Sequence, residues 1–156
     1  MNREPSLRPY YQGILMGIDT FAWYQRQSYT VEQSHCYETV LQHFELFKLE
    51  TAHAIEIAGQ PLPQNLPFYQ AAILQLTAWR IKRLTDAASL WQHSANDYQK
   101  GLKMMEKFMQ KHQQYLSSQW LEMLIGQIRQ TYALGNNLKL LTLPEGLSPQ
   151  ETVVEP

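Results

Sequence analysis

Cysteine is almost absent from this chain: Cys36 stands alone among 156 residues, so an internal disulfide framework is excluded. Neither sign of charge is in excess. The 13 Lys and Arg against 14 Asp and Glu leave a net charge of −1, so no global field steers the chain to nucleic acid or anionic lipid. Long apolar runs are missing too. The run 13–18 is cut off by Asp19 and is too short for a secretion signal. The longest uncharged span, 57–79, carries Pro61, Pro63 and Pro67 and cannot form a transmembrane helix. No sustained period-two alternation appears and β-branched residues are sparse, so strands are not expected. A Ser/His/Asp or Cys/His arrangement, a glycine-rich phosphate loop and a paired-cysteine motif are all lacking. Neither an enzyme nor a cofactor is expected, and the default location is the cytoplasm.

What is present is the composition of an ordinary soluble globular protein, 44% hydrophobic and 17% charged. The length suits one domain with a real core. That domain is expected over 1–141. Residues 142–156 hold Pro144, Pro149 and Pro156 with Glu145, Glu151 and Glu155 and no basic residue, the pattern of a disordered acidic tail.

Helical signals divide the rest. Pro9 suits a first helical turn, and Tyr11, Leu15, Ile18 and Ala22 mark one face of a first helix that fades near Ser28. Gly13 and Gly17 either admit a close neighbour or weaken this helix by roughly 1 kcal/mol each relative to Ala. Thr30 and Gln33 form a capping box for a second helix. Its seam runs Tyr37, Val40, Phe44, Phe47, Thr51, Ala54, Ala58, with Gly59 placed to end it.

The longest periodic feature is a seam of alternating three- and four-residue steps: Leu74, Thr77, Ile81, Leu84, Ala88, Trp91, Ala95, Tyr98, Leu102, Met105, Met109, His112, Leu116. One continuous helix from 67 to 116 would be roughly 75 Å long, too long for the other helices to cover. A turn is therefore expected, and the poor helix formers Ser94, Asn96 and Asp97 place it near 93–97. Ser117 and Ser118 break the phase. Leu121, Leu124, Ile128 and Thr131 begin a last seam that ends at Gly135, Asn136 and Asn137, and the strip 138–143 is placed to cover the bundle's end. Alternating three-four spacing with neutral flanks predicts an all-α, antiparallel bundle of four to five helices.

Three constellations bear on function. Met104, Met105 and Met109 cluster with Phe108 and Tyr115, and methionine is the adaptable residue of surfaces that accept helices. This apolar face predicts an interaction module, adaptor or assembly subunit that binds a protein partner or a second copy of itself. Lys100, Lys103, Lys107 and Lys111 form a stripe that can contact phosphates, so a nucleic-acid-associated helical protein is the alternative. Glu50 and His53 have the Glu-x-x-His spacing of bundle di-metal sites, and His43 lies on the same helix. A single chain offers only one such motif, so a metal site would need a dimer, and no metal is expected. His112 falls on the main seam and reads as structural.

Overall fold

The computed structural model describes residues 5–63 and 66–141, so the expected tail at 142–156 lies outside the described residues. Among the described residues there are five helices and no strand: α1 (Arg8–Gln27), α2 (Val31–Ile57), α3 (Phe68–Lys82), α4 (Ala87–His112) and α5 (Ser118–Asn137). The all-α expectation holds. None of these helices is long and apolar enough to cross a membrane.

Helices α1, α2, α5 and α4 close a ring in which each packs on the next, and α3 lies outside it, chiefly against α1. Aromatic side chains fill the centre. Phe21, Tyr24, Tyr37 and Tyr98 form one buried cluster with Val40 and Leu90, while Tyr10, Ile14, Phe47 and Leu124 form another. Tyr10, Tyr24, Tyr37 and Tyr98 each also direct the hydroxyl to another helix, because a buried O–H without a partner is costly. Tyr10 of α1 donates to Gln127 Oε1 of α5 at 2.7 Å, and Gln127 Nε2 donates to Thr51 Oγ1 of α2 at 3.2 Å. The Tyr37 hydroxyl of α2 pairs with Ser94 Oγ of α4 at 2.9 Å. Tyr98 of α4 donates to the Thr131 carbonyl of α5 at 2.6 Å. Tyr24 of α1 donates to Asp97 of α4. These bonds cross-tie all four ring helices and fix how each is rotated about its axis.

The helix boundaries follow from local chemistry. Thr30 Oγ1 accepts from the Gln33 amide at 3.0 Å, as a capping box requires. The reciprocal arm differs: Gln33 Oε1 accepts from the Tyr29 amide, one residue earlier than expected, and Gln33 Nε2 donates to the Ala87 carbonyl. Gly59 adopts φ +72° just past α2, the left-handed conformation that glycine takes at little cost. Ser117 caps α5 by accepting from the Trp120 amide. α5 ends at Asn137, as the run Gly135, Asn136 and Asn137 predicts. A Cβ at position 135 would sit 2.7 Å from both Tyr98 and Leu141, so this glycine serves a close approach. Leu138 and Leu141 pack on the central cluster and Leu140 is buried in it, covering the end of the bundle as expected.

The turn in the main seam is real, but it does not lie near 93–97. α3 ends at Lys82, and α4 starts at Ala87 and runs unbroken through Ser94, Asn96 and Asp97. Asp86 is the cap: its backbone is extended, and its carboxylate accepts from the Ser89 amide at 2.7 Å, which holds the Asp86 carboxyl below its usual range. Ser94 caps nothing. Its hydroxyl lies in the interior, donating back to the Trp91 carbonyl and pairing with Tyr37.

Candidate functional site

Two features of the fold offer a surface for function, and both involve α3. The first is a cavity of about 530 Å³ bounded by α1, α3 and α4, with Phe44 and Phe47 of α2 also in its lining. α3 and α4 are consecutive, yet they make little direct contact. They diverge from the connection at 83–86 and leave this space between them, with α1 as its floor. Its walls are mainly apolar, from Ile14 and Phe21 on α1, Ile73 on α3, and Leu102, Met105 and Phe108 on α4. Its charged lining groups are Arg80 on α3 and Asp97 and Lys100 on α4, with the Tyr24 hydroxyl bound to Asp97; Gln70, Thr20, Thr77 and Thr131 add uncharged polar groups elsewhere in the lining. Burial and the Asp97 charge raise the Tyr24 phenol well above its ordinary value, and Arg80 acts in the opposite direction.

Gly13 and Gly17 both line this cavity, and close approach explains them. A Cβ at Gly13 would meet the Met104 methyl at 2.7 Å, and one at Gly17 would meet the Phe44 ring at 3.2 Å. Gly101 is different, because nothing lies within 4 Å of a Cβ built there.

The second feature is the outer face of α3. Phe68 is 90% exposed, Tyr69 63%, Leu76 64% and Trp79 56%. Only Leu74, Ala78 and Ile81 of this helix are buried. From Phe68 to Trp79 there is no charged residue, while Arg80, Lys82 and Arg83 crowd the C-terminal end. Arg83 stacks on the Trp79 ring at 3.7 Å. A helix that is apolar on all sides is ordinarily buried. This one has an inner stripe that docks on α1 and an outer stripe with no partner within the described chain.

The residues singled out from sequence are distributed around these features. Met104, Met105 and Phe108 line the cavity together with Lys100. Phe108 is half-buried against Tyr10, ring centroids 5.4 Å apart, and against His112 at 4.6 Å. Met109 is half-buried and Tyr115 exposed, and neither lines the cavity. Lys100, Lys103, Lys107 and Lys111 are all exposed along α4. Glu50 and His53 are exposed on α2; His43 is half-buried, its Nδ1 3.1 Å from the Thr39 carbonyl of its own helix. No group of three or more His, Cys, Asp or Glu gathers among the described residues. His112 is held below the usual imidazole range by desolvation and by Lys111. Cys36 is buried and its thiol is pushed up to about 11, which keeps it protonated and unreactive near neutral pH.

Sequence reasoning missed the outer stripe of α3. Leu74, Thr77 and Ile81 account for one side of that helix, and the apolar residues left over at Tyr69, Leu76 and Trp79 were the available signal.

Similarity adds nothing further. No family model matches the chain, and no curated protein or solved structure matches it significantly.

Proposed function

We propose that the protein is a non-enzymatic helical interaction module of the cytoplasm that assembles through the outer face of α3, with a second copy of the chain as its partner. The observation that carries this reading is the uncharged, solvent-facing stripe of Phe68, Tyr69, Leu76 and Trp79. A contiguous apolar patch rimmed by charge is the usual mark of an interface. The choice of partner rests on self-complementarity, which a two-fold interface demands. The aromatic end of α3 is its N-terminus and the cationic end its C-terminus. Antiparallel pairing with a twofold axis at Leu76 sets Tyr69 opposite the partner copy's cationic end, where Arg83 can stack on an aromatic ring as it already does on Trp79. Parallel pairing would set cation against cation.

The same patch favours α3 over the face formed by Met104, Phe108 and Tyr115, because Phe108 turns inward and Met104 leans over Gly13. The lysine-stripe and Glu50/His53 readings rest on spacing alone. One helix pair lies at or below the low end of the roughly 1,200–2,000 Å² buried in stable complexes, so the association is reversible and concentration-dependent. Sedimentation velocity over a dilution series tests it. Wild type should pass from dimer to monomer on dilution, and Leu76→Glu with Trp79→Glu should be monomeric throughout with an unchanged helical spectrum. A wild type that stays monomeric at high concentration, or a double variant that still dimerises, would refute the reading.

A further inference from the structure

The cavity between α1, α3 and α4 has the attributes of a ligand site that self-association through the outer face of α3 does not use. Its volume, about 530 Å³, lies within the range of small-molecule pockets, which are largely apolar with a few placed polar groups. Gly101 is the second observation. Glycine inside a helix is destabilising relative to alanine, and here no neighbour requires it, since the space beyond its Cα is open. What its missing side chain preserves is the width of the cavity. Met104 and Met105 are a third: unbranched, polarizable side chains adapt to an apolar guest.

The charged lining specifies the headgroup. Asp97 is already engaged by the Tyr24 hydroxyl, whereas Arg80 and Lys100 line the same cavity, two cations against one carboxylate. The remaining field is positive. We propose that this cavity binds a small amphiphile with one anionic headgroup, of the medium-chain carboxylate kind, its chain along Met104, Met105 and Phe108 and its carboxylate at Arg80 and Lys100. Both cations are exposed, and exposed ion pairs are weak. The chain therefore supplies most of the affinity, and the headgroup supplies a preference of severalfold.

Calorimetric titration of the full chain with decanoate, below its micellar concentration, tests this against decyltrimethylammonium, which has the same chain length and the opposite charge. Saturable one-to-one binding of decanoate is expected, severalfold tighter than that of the cation. Gly101→Trp fills the cavity and should weaken decanoate binding at least tenfold. Arg80→Gln with Lys100→Gln should retain binding and bring the two affinities together. Leu76→Glu, which alters only the outer face of α3, should bind decanoate as wild type does. That result would keep this proposal standing even if self-association failed. A measurement without cavity variants gives an independent check: decanoate should shift the methyl resonances of Met104 and Met105 and leave Met123, which does not line the cavity, unmoved. Absence of saturable binding, full binding by a folded Gly101→Trp, equal affinity of wild type for both head charges, or shifts centred on Met123 would each overturn the proposal.

Discussion

Two prolines placed seven residues apart distinguish the observed α3–α4 connection from a break near 93–97. Ser94→Pro falls inside α4, where the ring meets the preceding turn and an amide donor is lost, at a cost of ~3 kcal/mol or more. It also removes the hydroxyl that pairs with Tyr37 at 2.9 Å, leaving a buried phenol without its partner for a further ~1–3 kcal/mol. Together these reach about 4–6 kcal/mol, against the 5–15 kcal/mol that typically holds a domain folded. Ala87→Pro falls at the first position of α4. Asp86 before it has φ −142° and ψ 163°, the extended backbone that a residue preceding proline adopts, and the Ala87 carbonyl that accepts from Gln33 is retained. That change should be neutral or stabilising by ~0.4–1 kcal/mol. In urea denaturation followed by far-ultraviolet circular dichroism, with a slope of about 2 kcal/mol per M, Ser94→Pro should lower the midpoint by roughly 2–3 M or abolish folding. Ala87→Pro should leave it almost unmoved, and Ser94→Ala should show the loss of the Tyr37 partner alone. A tolerated proline at 94 together with a damaging one at 87 would refute the placement of the turn.

Two further outcomes follow from the same interior. Burial raises the phenols of Tyr10, Tyr24 and Tyr98 and pushes Tyr37 up to about 12. The folded state thus favours their neutral form. Their stabilisation is fully present below the ordinary phenol value of about 10 and is lost as pH rises through it towards the folded values. In a phenolate absorbance titration these four should ionise together with the loss of helical signal; ionisation near pH 10 with the helices intact would contradict their burial. Gly135→Ala drives a methyl into Tyr98 and Leu141 and should cost ~1–3 kcal/mol by thermal melting, whereas Gly101→Ala, facing open space, should stabilise by ~0.5–1 kcal/mol. Equal effects at the two glycines would mean that the contacts at Gly135 are not as described.

Much of the fold was legible because periodicity is local. Tyr37, Val40, Phe47 and Thr51 face inward as their spacing requires, and Thr30, Gly59 and Ser117 mark ends by chemistry that needs no distant partner. The turn was misplaced for a physical reason. Arg83 keeps right-handed helical geometry, and the amides of Arg83 and Leu84 bond back to Arg80 and Ile81, so the seam crosses the break with its phase nearly preserved. Asp86 with Ser89 was the capping signal, while Ser94, a poor helix former on paper, satisfies its hydroxyl inside the core. The cavity could not be read at all, because it exists where α3 and α4 diverge over α1, and divergence leaves no trace in spacing. Met104, Met105 and Phe108 were singled out for their chemistry, and their common wall became visible only in three dimensions.

The central claim is that α3 pairs with its own copy about a twofold axis at Leu76, and oxidative cross-linking of Leu76→Cys tests it most directly. Helix axes 8–10 Å apart, with Cα atoms about 2.3 Å from each axis, bring the two central Cα atoms within disulfide range at the crossing. The buried Cys36 leaves the introduced thiol as the reactive one. A covalent dimer is expected from Leu76→Cys alone. One is also expected from Tyr69→Cys mixed with Arg83→Cys, and none from Lys103→Cys on the exposed side of α4. No covalent dimer from Leu76→Cys, or equal yields from Leu76→Cys and Lys103→Cys, would contradict it.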